Sequence, residues 1–160
     1  MFGERTFRDA FGPANTQANT DLYVRATYSP DMQRAELTDD QVHTLVAVDV
    51  EGGLSGYAQL RVGGEHPLGE PVPSCELWRF YVDRPWQGQG LAAQLMDAVR
   101  ALASELGCAA LWLAVWEHNP RARTFYTREG FHEVGSQPFR LGNDLQTDLV
   151  MLTPLANYKG

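Results

Sequence analysis

Gln87-Gly88-Gln89-Gly90-Leu91-Ala92-Ala93 stands between two segments of different periodicity, and its reading decides the fold. Upstream, Cys75–Val82 (CELWRFYV) has the length and the aromatic and branched content of a strand. Downstream, Leu91, Leu95, Ala98, Val99, Leu102 and Leu106 recur at helical spacing, an apolar stripe that Gly107 terminates. A glycine turn leading a strand into a helix leaves several backbone N–H groups without acceptors, aimed at one spot where the helix dipole adds positive charge. Such a turn is suited to a phosphate. The spacing Gly88-x-Gly90-x-x-Ala93 also satisfies a dinucleotide fingerprint, with Glu117 after the next strand as the ribose-binding acid. The 67 residues after Ala93 are too few for the remaining strands and crossover helices of a doubly wound sheet, which argues against a nicotinamide-binding oxidoreductase.

Working outward, His43–Val50 and Ser55–Val62 flank Glu51-Gly52-Gly53-Leu54 in the pattern of an antiparallel hairpin. Before them, residues 4–10 and about 20–38 read as two helices, with Ser29-Pro30 as an N-cap and first-turn signal. After the long helix, the apolar run Ala109–Val115 predicts a strand buried on both faces. Asn119-Pro120 caps a short helix that ends at Gly130, and Phe131–Val134 and Leu145–Leu152 close the sheet. The expected fold is α/β in the broad sense (α+β), a mixed sheet flanked by helices, in one domain spanning residues 1–160.

Composition bounds the function. The chain has 160 residues, 44% of them hydrophobic, and a formal charge of −7, which suits a compact domain and disfavours binding to nucleic acid backbones. No apolar run approaches a membrane span and no signal-peptide pattern opens the chain, so a cytoplasmic location is the expectation. Cys75 and Cys108 form no metal-binding or disulfide framework and read as two unlinked thiols, and no metal is expected. Hydrolase, zinc-protease and nucleotide-triphosphatase signatures are missing from the sequence.

The turn Gln87–Ala92 resembles the Q/R-x-x-G-x-G/A signature of the GNAT superfamily of acyl-CoA-dependent N-acetyltransferases. Downstream, Asn119-Pro120-Arg121-Ala122-Arg123-Thr124-Phe125-Tyr126 and Gly130-Phe131 resemble that family's N-x-x-A-x-x-F-Y…G-F segment. The resemblance covers about residues 4–152. It implies a mostly antiparallel sheet splayed open beside the glycine turn, with acetyl-CoA in the gap and a small-molecule primary amine as acceptor. The closing segment, from Gly135-Ser136 through Gln146-Thr147-Asp148, resembles PaiA-type polyamine acetyltransferases. An acyl-CoA-binding regulatory module of the same fold is the alternative.

The resemblance also assigns roles. The amides of Gln89, Gly90, Leu91 and Ala92 would bind the coenzyme A pyrophosphate, beside Gly88 and with Gln87 shaping the loop entry. Main-chain groups of Phe80, Tyr81 and Val82 would meet the pantetheine arm and the thioester carbonyl. Asn119 and Tyr126, seven positions apart, share one side of a helix. Asn119 would contact pantetheine and Tyr126 would protonate the departing thiolate. Glu76 is the candidate base for the amine. Strand alternation puts it on a sheltered face with Trp78, Phe80 and Val82, opposite Arg79, which reads as structural. Trp112 and Trp116 read as packing residues. The family's opening strand is not visible in this sequence, so a hairpin strand is expected to lie at an exposed edge unless another chain or the C-terminal tail covers it, and a homodimer is the expectation.

Overall fold

The computed structural model describes residues 1–156. Three helices come first, α1 (Phe2–Phe11), α2 (Gln17–Thr27) and α3 (Pro30–Thr38). The hairpin strands β1 (Val42–Val48) and β2 (Leu54–Arg61) follow, then β3 (Ser74–Val82), the long helix α4 (Leu91–Glu105) and β4 (Ala110–Trp116). Helix α5 (Pro120–Arg128) and the hairpin β5 (His132–Leu141) and β6 (Asp144–Pro154) complete the described residues. The N-terminal region holds three helices rather than two, because the Ser29 hydroxyl caps the Met32 amide and Pro30 opens a new helix there.

The six strands form one sheet in the order β1-β2-β3-β4-β6-β5. All neighbours are antiparallel except β3 and β4. A doubly wound parallel sheet is thereby excluded. Among the described residues no strand precedes α1, and β1 lies at the sheet edge. Among the described residues no helix is long and apolar enough to cross a membrane. On one face α4 and α5 pack over Leu60, Leu77, Leu111, Leu113 and Met151. On the other, α1 and α2 bring Phe7, Val24 and Tyr28 onto Leu141, with Tyr81 and Phe139 beside them.

Two features of β3 differ from the sequence expectation. First, its register with β2 slips by one residue, Gln59 facing Arg79 while Leu60 faces Leu77, so that Trp78 is a β-bulge. A bulge reverses side-chain alternation beyond it. Leu77, Phe80 and Val82 therefore all reach the α4 core, whereas Glu76 shares the opposite face with Arg79. Second, Cys75 and Cys108 are joined in a disulfide, with Cα atoms 5.9 Å apart, instead of being two unlinked thiols. Parallel pairing of β3 with β4 brings together positions 33 residues apart in sequence, a proximity that spacing alone does not reveal.

Candidate active site

The pairing of β3 with β4 is short. Only Ser74, Cys75 and Glu76 are in register, with Ala110, Leu111 and Trp112, and beyond that point the strands part. Each stays paired on its other side, β3 with β2 as far as Val82 except at the Trp78 bulge, and β4 with β6 as far as Trp116. The result is a notch through the sheet, and a cleft of about 1000 Å³ runs along it. Because the notch is open to both faces, the lining mixes Leu77, Phe80, Leu113 and Tyr126 from the α4–α5 side with Arg79, Tyr81, Trp116 and Asp148 from the α1–α2 side.

The glycine turn borders this cleft. Gly88 and Gly90 both have positive φ (77° and 83°), a conformation that a side chain strains. A Cβ at either position would meet nothing within 4 Å, so the space above the turn is open to a ligand. Gly90 is the N-cap of α4, and the first helical amides after it have no acceptor in the preceding turn. The Gln87 side chain donates to the Val82 carbonyl (2.9 Å) and Gln89 to the Pro85 carbonyl (2.6 Å), which ties the turn to the end of β3. These residues fit an anionic pyrophosphate through backbone amides.

Asn119 and Tyr126 both line the cleft from α5. The Asn119 Oδ1 accepts from the Ala122 amide (3.1 Å), so the residue is the helix cap and presents its amide nitrogen elsewhere. Tyr126 is buried among Phe80, Phe125 and Phe131, and this burial pushes its hydroxyl well above the usual phenol range. It therefore stays protonated at physiological pH. Phe80, Tyr81 and Val82 also line the cleft, along with Gln87, Gly88, Gly90 and Ala92; Gln89 and Leu91 complete the turn without appearing in the lining.

Glu76 is not brought to the cleft lining. Its carboxylate accepts from Arg61 at 2.5 and 2.9 Å, and the bulge at Trp78 gives it different neighbours from those that simple alternation predicts. Arg79 is structural as expected, bonded through both terminal nitrogens to Glu36 (2.5 and 2.8 Å) with both side chains buried. This pair links α3 to β3. Arg5 of α1 likewise grips Asp83 just after β3 (2.5 and 2.9 Å) and holds its carboxyl below the usual range.

The sequence reading missed Asp148 as a site residue. It lies in β6 opposite Trp116 of β4, is 8% exposed and lines the cleft. Its Oδ1 is buried without a hydrogen-bond partner, and burial pushes the carboxyl up to about 6. Trp116, read from sequence as packing, lines the cleft too. An available signal was the alternation Gln146, Asp148, Val150, Leu152, which sets an acid among inward-facing positions.

Residues 6–131 match the model of the acetyltransferase (GNAT) family. An uncharacterized N-acetyltransferase of Lactobacillus delbrueckii subsp. lactis is 31% identical over 91% of this chain and 84% of its own length. A spermine/spermidine N(1)-acetyltransferase of Bacillus subtilis is 30% identical over 59% of this chain and 62% of its own. The crystal structure of the PaiA N-acetyltransferase from Thermoplasma acidophilum in complex with coenzyme A superposes with a TM-score of 0.74 at 16% identity, over 94% of this chain and 87% of that one. The family match spans well over half of the chain, on a sheet that opens beside a glycine turn at the start of a helix, and the chain thus belongs to the GNAT family as an N-acetyltransferase that uses acetyl-CoA.

Proposed function

We propose that the chain acetylates a primary amine of a small cationic molecule, with polyamines such as spermidine as the acceptor class, by direct transfer in a ternary complex. The observation that carries this reading is the notch between β3 and β4, because it joins the glycine turn and Tyr126 on one face to an acid-containing recess on the other. The spermine/spermidine relative, the PaiA neighbour and the net charge of −7 support a polyamine.

When bound, acetyl-CoA supplies the acetyl group as a thioester. The amides of Gln89, Gly90, Leu91 and Ala92 would bind its pyrophosphate, and main-chain groups of Phe80, Tyr81 and Val82, which have no partner on β4, would orient the arm and the carbonyl. Asn119 holds the arm through its amide nitrogen. Tyr126 keeps its proton until sulfur departs, gives it to the sulfur and recovers one from the acceptor side. Glu76 is committed to Arg61 and lies outside the cleft lining, away from an acceptor amine. A thiol-release screen over polyamines, amino acids, aminoglycosides and peptide N-termini tests the reading. Highest kcat/KM for spermidine or spermine is expected, and preference for another class would overturn the polyamine assignment.

The edge strand β1 exposes Val46 and Val48, and this supports pairing with a second copy of the chain. A monomeric mass in solution light scattering at micromolar concentration would remove that part of the reading.

A further inference from the structure

Asp148 combines three properties that a structural carboxylate seldom has together: it is more than nine-tenths buried, its Oδ1 has no partner among the described residues, and it lines a large cleft. Burying an unpaired charge is costly, and a cation entering the cleft would relieve that cost. The surrounding walls suit a cation. Trp116 stands in register with Asp148 on β4, and Phe11 lies against it with ring centroids 6.1 Å apart. Tyr23 and Phe139, 5.4 Å apart at an edge, line the same recess. Aromatic faces attract ammonium groups electrostatically.

The charged and titratable neighbours leave this role open. Gln137, opposite Asp148 on β5, is neutral, as is Trp116. From α2, the Tyr23 hydroxyl is pushed up to about 12 by burial and stays neutral. Arg79 of β3 is held by Glu36 of α3, and Asp9 of α1 stands 3.4 Å from Arg84. Arg121, Arg128 and Glu129 border the cleft on the α5 side.

We propose that Asp148 receives the acceptor: its carboxylate pairs with the substrate ammonium between the aromatic walls and takes one proton, leaving a neutral amine to attack. The N–H bond breaks, its electron pair remains on nitrogen, the proton rests on the carboxylate and passes to solvent through the cleft. The inference rests on the amine-acetyltransferase reading and names the residue that selects a cationic substrate. Desolvation among aromatic rings weakens the ammonium's hold on its proton, and burial that raises the carboxyl strengthens the other side.

The test compares wild type with Asp148→Asn and Asp148→Glu. Calorimetry with spermidine in the presence of coenzyme A should show at least ~10-fold weaker binding to D148N, with coenzyme A affinity within twofold of wild type. Thiol-release kinetics should show kcat/KM for spermidine lower by roughly 10²-fold, the range of general-base catalysis. The rise of kcat/KM with pH near 6 should vanish in D148N and persist in D148E. Wild type that binds spermidine without releasing thiol would refute the transferase reading while supporting the ammonium site. Wild type and D148N with equal spermidine affinity and equal pH profiles would overturn the Asp148 proposal and leave the transferase reading standing. No spermidine binding to either protein would also overturn it.

Discussion

The two ends of the β3–β4 junction show how one pair of strands serves stability and binding separately. At the closed end, Ser74–Glu76 pair with Ala110–Trp112, Cys75 and Leu111 are fully buried, and the disulfide to Cys108 adds a covalent link. At the open end, Phe80, Tyr81 and Val82 have no partner on β4, and the bulge at Trp78 turns Phe80 and Val82 onto the α4 face. The closed end sets where the strands start to diverge. The open end leaves main-chain groups free for a ligand, which is tolerable only where water or substrate can satisfy them. A fully zipped sheet would have gained hydrogen bonds and lost the site.

Substitutions at the two ends should therefore affect different measurements, and the largest effect belongs to the open end. Tyr126→Phe should lower turnover by about 10²–10³-fold while acetyl-CoA affinity stays within twofold, because only the proton donor is lost; an unaltered kcat would remove Tyr126 from the chemistry. At the closed end, Cys75→Ser with Cys108→Ser should cost about 4 kcal/mol in denaturant unfolding, as expected for releasing a loop of this length. Coenzyme A affinity should change little in that variant, and a large loss of binding would show that the two ends are not separable. Next in size, Gly90→Val strains a backbone at φ 83° and covers the amides, so coenzyme A should bind ~10–100-fold more weakly. Calorimetry with unchanged affinity would refute the phosphate role of the turn.

The last effect concerns stability and has a defined sign with pH. The Asp148 carboxyl is raised in the folded chain from 3.8 to about 6, so the folded state binds this proton more tightly than the unfolded one. Stability from this group is fully present below about pH 4 and declines as pH rises to about 6. The decline amounts to at most about 3 kcal/mol. Asp148→Asn should consequently unfold at higher denaturant than wild type at pH 8 and show little advantage at pH 4. Greater stability combined with weaker spermidine binding would mark the carboxylate as one retained for ligand.

Local elements were legible because their signals are local. The stripe from Leu91 to Leu106 gives α4, Ser29-Pro30 gives the start of α3, and the apolar run before Trp116 gives β4. Strand β5 extends to Leu141, well past Val134, because it forms an edge whose polar residues face solvent and carry no hydrophobic pattern. The face of Glu76 was misread because a bulge leaves no trace in a single strand's alternation; it arises from register with β2.

By itself, the amino-acid sequence determined the strand-turn-helix around Gly88 and Gly90, the cap at Asn119 and the placing of Tyr126 on the following helix, since each depends on residues within a few positions. Tertiary structure alone decided that Cys75 meets Cys108, that Glu76 is taken by Arg61, and that the Asp148 Oδ1 is buried without a partner among the described residues, in a cleft also lined by Phe11, Tyr23 and Phe139. Those outcomes depend on which segments pack together across the chain. Burial, and with it the proton affinity of a carboxylate, is a property of that packing.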